Sequence, residues 1–227
     1  MTLDQNQIAE IKSLITRKGV KYLDVQMEII DHTASAVEER LNANPDLSFE
    51  QALKQTHASF GIFGFGGMED AIVSGMGKRY NRIFMRRFLS FLGIKYIGLV
   101  LLGGILLYQG QILAKDYVPV VSIILIATVA LIGILVVVGL NHKGHQKFLV
   151  YGLSVRYLMF IGTFLQLFNL LMDNVADVII FGLNRNFLMV SALLTLFILY
   201  VATAIYTAAV GVRESKSLME KYNLLNH

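Results

Sequence analysis

Two rhythms of apolar residues divide the chain. Up to about residue 67 they recur at helical spacing among charged residues, and from Phe88 onward they run almost without interruption. The first rhythm predicts three or four short amphipathic helices. Thr2 with Gln5 predicts a capping box opening a helix that carries Ile8, Ile11, Leu14 and Ile15 and stops at Gly19. A second helix is predicted over 22–43. At about 100° per residue, Leu23, Met27, Ile30, Ala34, Val37 and Leu41 fall within about 80° of one another, which predicts a core stripe. Asp24, Glu28, Asp31, Ser35, Glu38 and Glu39 gather on the opposite side, and Val25, Ile29 and Ala36 form a lesser stripe on a flank, for packing or for another chain. Asn44-Pro45-Asp46 predicts a turn. Ser48 with Gln51 predicts a second capping box, opening a helix with Phe49, Ala52, Leu53, Thr56 and Phe60 that ends at Gly61.

The second rhythm predicts four spans, at 88–108, 118–140, 148–172 and 187–212, each near the roughly 20 residues that a hydrocarbon core requires. Composition agrees: 55% of the 227 residues are hydrophobic and 16% charged, which excludes disorder and an ordinary soluble domain. The absence of Cys excludes disulfides and thiolate chemistry. Residues 1–77 carry 11 acidic and 6 basic residues although the whole chain is +4, so an acidic head precedes a basic body. That balance argues against nucleic acid as the head's partner. Lys78, Arg79, Arg82, Arg86, Arg87, Lys143, Lys147, Arg213, Lys216 and Lys221 flank the spans on one side, against Lys115 and Arg185 on the other. Ten against two places both termini in the cytoplasm of a bacterial inner membrane, with lipids as obligatory neighbours. Met1-Thr2-Leu3-Asp4 lacks the basic start of a cleavable signal sequence, and none is expected. The predicted fold is all-α and polytopic: a cytosolic helical head over 1–67, an amphipathic basic linker helix over 68–87, a four-helix bundle over 88–212 and a cytosolic tail over 213–227.

The succession Glu28-Ile29-Ile30-Asp31-His32, then Ser48-Phe49-Glu50-Gln51-Ala52-Leu53, then Phe60-Gly61 resembles the small helical domains of the HAAS and permease-prefix type in bacterial membrane proteins. The resemblance covers about residues 5–62. It implies a signalling or regulatory module that precedes spanning helices, and interaction instead of catalysis. After Gly61 a Gly-rich aromatic stretch replaces the proline often found in those domains, and the body is far shorter than a transporter permease.

Candidate chemistry is sparse. Glu28 and His32 are four apart, Asp24 and Asp31 share their side, and His57 is placed to approach from the third helix, a carboxylate and imidazole set of the kind that holds zinc or iron. A Glu four residues before a His more often makes a stabilising pair, so no metal, cofactor or catalytic group is expected. The glycines after Phe60 are no phosphate loop, because no Lys-Ser or Lys-Thr follows and Glu69 and Asp70 repel an anion. They predict a hinge, with Ile62, Phe63 and Phe65 available to grip a partner or dip into the interface. Asp24, Glu28, Asp31, His32, Phe63 and Phe65 are therefore the candidate partner contacts. Within the spans Lys95, Arg156, Gln166 and Asn169 are the polar candidates; the two cations are close enough to span ends to snorkel, and the two amides are spaced to bond a neighbouring helix. Gly103, Gly104, Gly133 and Gly139 allow close helix contacts, and the apolar loop 173–186 is too short to span and suits the outer interface. The linker is expected to run into the first span without a break, with Gly75 and Gly77 as hinge or packing contact. The function these features predict is a non-enzymatic regulatory or assembly component that recruits another membrane or cytosolic protein, or a second copy of itself, through the head. The alternative is a small transporter, channel or accessory permease subunit using Lys95 and Arg156.

Overall fold

The computed structural model describes residues 2–62, 64–116, 121–125, 127–129, 131–133, 143–160, 163 and 178–224. These form helices and a single two-stranded hairpin: α1 (Gln5–Arg17), α2 (Leu23–Ala43), α3 (Phe49–Ser59), α4 (Phe65–Phe91), α5 (Ile94–Ala114), a 3-10 turn (Lys143–Lys147), α6 (Leu149–Met159), β1 (Ile179–Ile180), β2 (Leu183–Asn184) and α7 (Arg185–Leu224). The fold class is all-α. The chain divides into two compact units, one made of Met1–Arg79, Gly144–Leu153 and Glu214–His227, the other of Tyr80–Lys143 and Ser154–Arg213.

The first unit has an ordinary water-facing core. Ile11 and Ile15 of α1, Val25, Ile29, Val37 and Leu41 of α2, Ala52 and Leu53 of α3 and Phe65 of α4 are all buried. The box on α1 uses Asp4 and Gln7 in place of Thr2 and Gln5: the Asp4 carboxylate accepts from Gln7 N at 2.8 Å, and Asp4 N donates to the Gln7 side chain at 2.9 Å. A carboxylate is as good an N-cap as a hydroxyl, and starting two residues later frees Leu3 to pack on the core. The Ser48 and Gln51 box forms as expected, and Gly19 and Gly61 follow α1 and α3 with left-handed φ of 88° and 78°.

The core stripe of α2 lies elsewhere than a straight projection predicts. Its buried positions 25, 29, 33, 37 and 41 are four apart. Each such step overshoots a full turn by about 40°, so the buried line winds around the axis along the ridge by which crossed helices interlock. The flank residues Val25 and Ile29 are thus central, while Leu23, Met27, Ile30 and Ala34 are half-buried.

The linker does not run unbroken into the first span. α4 continues to Phe91 and ends at Leu92–Gly93, where Gly93 turns extended and begins α5; a Cβ on Gly93 would sit 3.3 Å from the Ser90 carbonyl oxygen. Gly75 and Gly77 lie inside α4 with open space around them, so neither is a break or a close contact.

The second unit buries Val190, Leu194 and Phe197 but leaves many other apolar residues at its surface. Leu99, Leu101, Leu102, Ile105, Leu106 and Leu113 of α5 are exposed, and small or polar residues are buried: Gln111, Thr128, Ser154, Ser191, Thr203, Ala204 and Thr207. Thr128, Ser191, Thr195, Thr203 and Thr207 each donate to the carbonyl four residues earlier in their own helix, at 2.7 to 2.9 Å. Gly104 packs against Thr195, whose Oγ1 is 3.4 Å from where a Cβ would stand; Gly103 and Gly133 have open space, and Gly139 lies outside the described residues.

Among the described residues, two helices are long and apolar enough to cross a membrane, Ile94–Ala114 and Arg185–Tyr222. The first begins six residues later than the 88–108 expectation. The second extends through the presumed tail, whose Ser215 is buried. Of the other two expected spans, 118–140 is described only in helical pieces between 121 and 133, and 148–172 only as the 11-residue α6 and positions 148, 160 and 163. The apolar loop 173–186 contains the hairpin, paired Ile179 to Asn184 and Ile180 to Leu183, with Phe181 and Gly182 at φ 51° and 77° in its turn. A left-handed phenylalanine costs about 1–2 kcal/mol.

Candidate functional site

The first unit joins segments from the start, middle and end of the chain, and a carboxylate fixes the junction between start and middle. Asp24 sits in the first turn of α2, 4% exposed. Its Oδ1 accepts from Leu149 N at 2.8 Å and its Oδ2 from Val150 N at 2.9 Å, while Val25 N also donates to Oδ1 at 3.1 Å. Leu149 and Val150 open α6, so their amides are among those a helix leaves without partners of its own. Phe148, which precedes them, is buried and has no acceptor to offer. Asp24 is a cap supplied from 125 residues away, set where the partial positive charge of a helix start attracts an acceptor.

The surrounding contacts hold both partners still. Gln26 donates to the Val20 carbonyl at 2.6 Å, fastening the turn that leads into α2. Leu149 belongs to the head's apolar core and Leu153 packs against it. Around the 3-10 turn, His145 Nδ1 is 2.6 Å from Ser215 Oγ of α7, and Gly144 lies beneath Met219, whose Cε would be 3.1 Å from an added Cβ. Lys12 stands over the Tyr222 ring at 5.0 Å, and Arg79 pairs with Glu214. The residues 213–227 expected as a free tail are in part structural, since α7 carries Glu214, Ser215, Met219 and Tyr222 into these contacts.

Asp24 is therefore no surface contact for a partner: it looked solvated because α2 alone was projected, without the segment that covers it. Phe65 is corrected likewise. It is 3% exposed, its ring 4.9 Å from that of His57 and 5.6 Å from that of Phe60, because α4 begins at Phe65 and turns it into the core. Phe63 lies outside the described residues. Glu28, Asp31 and His32 do face outward, with Glu28 and His32 paired at 3.4 Å. His57 packs on Phe65 instead of approaching that pair, and among the described residues no three His, Asp or Glu side chains converge as metal ligands.

In the second unit, Lys95 is the second residue of α5 and exposed, with its ammonium 5.3 Å from the centre of the Tyr96 ring. Once Gly93 starts the helix, Lys95 belongs to its first turn instead of lying two turns within. Arg156 donates to Asn81 Oδ1 at 2.5 Å, and Tyr157 OH donates to the same oxygen at 2.7 Å. Tyr157 stacks on Phe84 at 4.3 Å, and Tyr200 OH donates to the Tyr157 carbonyl at 2.7 Å. Asn81 was invisible as a site residue, since an Asn on a basic amphipathic helix reads as surface. Gln166 and Asn169 lie outside the described residues; the interhelical amide that is described is Gln111, which donates to Ser191 Oγ at 2.6 Å and to the Phe187 carbonyl at 3.2 Å.

Comparison of the chain with protein-family models, with curated proteins and with solved structures finds no match.

Proposed function

We propose that this is a non-enzymatic, four-span protein of a bacterial inner membrane, both termini cytoplasmic, whose helical head recruits a partner and passes that event to the segment around α6. The observation that carries the reading is the buried Asp24 carboxylate holding Leu149 N and Val150 N. It ties the part of the chain with the look of a HAAS or permease-prefix module to the first residues of the third expected span. Exposed Glu28, Asp31 and His32 remain the contacts offered to the partner, which is another membrane or cytosolic protein or a second copy. The ten-to-two distribution of Lys and Arg and the two long apolar helices support the membrane placement. Transport is the weaker reading: Lys95 lies at a helix start, and Arg156 is already held by Asn81 and Tyr157.

Two experiments test this reading. A photo-crosslinker at Asp31 of the full chain should capture one discrete protein, and binding of that protein should change hydrogen exchange at Leu149 and Val150. Capture from Leu106 on α5 but not from Asp31 would move the binding site to the bundle and end the recruitment reading. For topology, the absence of Cys makes Asp116→Cys and Lys216→Cys unambiguous reporters. An impermeant thiol reagent added to intact cells should label the first alone, and labelling of Lys216→Cys would reverse the orientation.

A further inference from the structure

The hairpin over 178–184 has no charged residue, and its apolar side chains are exposed: Ile179 at 74%, Ile180 at 46%, Leu183 at 43% and Phe181 fully. Both turn residues have positive φ, a geometry that suits Asn-Gly and strains Phe. An aromatic ring is thus held at the tip by a turn that a polar residue would make more easily. The base is firmly fixed. Asn184 N donates to Tyr108 OH at 3.0 Å, Asn184 Oδ1 accepts from Asn186 N and Phe187 N at the start of α7, and Arg185 N donates to the Val178 carbonyl at 2.9 Å. Tyr108 lies six residues before the end of α5, roughly 9 Å along its axis. The hairpin is therefore tethered at the level of the apolar helix ends, not carried on a stalk beyond them. Ile112 and Leu113 of α5 and Leu188 and Met189 of α7, a few residues along the chain from these tethers, are exposed as well.

We infer that the hairpin is a membrane anchor: Phe181, with Ile179 and Ile180, enters the boundary between headgroups and acyl chains beside the ends of α5 and α7. The occupant of this surface is lipid, because the patch is uncharged and tethered to a helix most of whose apolar side chains are exposed. A ring at the tip gives large apolar contact with no hydrogen bond to satisfy. The inference rests on the membrane placement proposed above.

The chain has no Trp, so single Trp residues report on the full protein in phosphatidylcholine vesicles. Phe181→Trp should emit to the blue of a water-exposed indole, lose intensity when the lipids carry bromine near the headgroup end of the acyl chain, and resist iodide. Ile179→Trp gives the same readout should the turn reject Trp, and adding Phe181→Asn, which suits the turn, should diminish its lipid quenching. Quenching by iodide and not by bromine would put the tip in water and overturn the anchor. Quenching by neither would put it against protein or a second copy, and overturn it equally. Leu102→Trp in the middle of α5 separates the two readings. Its quenching by deeply brominated lipid with a dry result at Phe181→Trp sinks the anchor alone; its failure to quench sinks the membrane placement as well.

Discussion

The two units both bury apolar residues but differ in what they leave at the surface and in the polar groups they enclose. In the first, branched apolar residues such as Ile11, Ile29 and Val37 are buried and the carboxylates of α2 look outward, save the one that caps α6. In the second, Leu101, Leu106 and Leu113 look outward, while Ser191, Thr203 and Thr207 are inside and satisfied by their own helices. We read the difference as one of solvent, water around the first and, on the membrane placement proposed above, lipid around the second. Burial of apolar area drives folding only where the surroundings are water; in lipid, helices associate through close contact of small residues, and every polar group needs a partner within the protein.

The sharpest break in this comparison comes from trimming one aliphatic residue in each unit. Ile29→Ala should cost about 2–5 kcal/mol of head stability, read by denaturant unfolding in detergent. Leu101→Ala, at 61% exposed, should change it by less than about 0.5 kcal/mol. Equal losses would mean that α5 faces a protein core and not a solvent.

Asp24→Ala is expected to have the next largest effect. It leaves two amides uncapped at about 1–3 kcal/mol each, and exchange at Leu149 and Val150 should accelerate while α1 to α3 keep most of their protection. Asp24→Asn should fall between, because a single amide oxygen replaces two charged acceptors. No change at Leu149 would remove the latch.

The smallest effect reverses sign between the units. Thr33 is fully buried in the head, and its Oγ1 has no hydrogen bond among the described residues. Thr33→Val should therefore stabilise the head by about 1 kcal/mol. Thr203→Val in the second unit removes a hydroxyl that already bonds the Leu199 carbonyl at 2.7 Å, so it should be neutral or slightly destabilising in a thermal melt.

Local features were readable from the chain. The Ser48 box, the glycine stops after α1 and α3 and the length of α2 all depend on residues within a few positions of one another. Asp24 and Asn81 were not readable, because their partners Leu149, Val150 and Arg156 lie 75 or more residues away, and an isolated helix carrying Asp or Asn looks solvated. The winding stripe of α2 was lost to a projection that assumes a straight seam. The α4–α5 break escaped because its sequence signal is a lone Gly93 with no Pro beside it. Polarity inside the bundle was sought in Lys95 and Arg156, whereas the described interior is lined by short hydroxyls and Gln111, types that carry little weight in a search for ionisable groups.

The latch also fixes an order of events at the ribosome. Asp24 and the amides it holds are separated by 125 residues, so at about 5–20 residues per second the carboxylate waits on the order of 10 seconds for them to be made. Ser215, Met219 and Tyr222, which close the same unit, are translated later still. A chain released early, even one ending at residue 213, leaves this unit open, with Gly144, His145 and Lys12 lacking the surface they pack on. The unit thereby closes only once Ser215, Met219 and Tyr222 have been made.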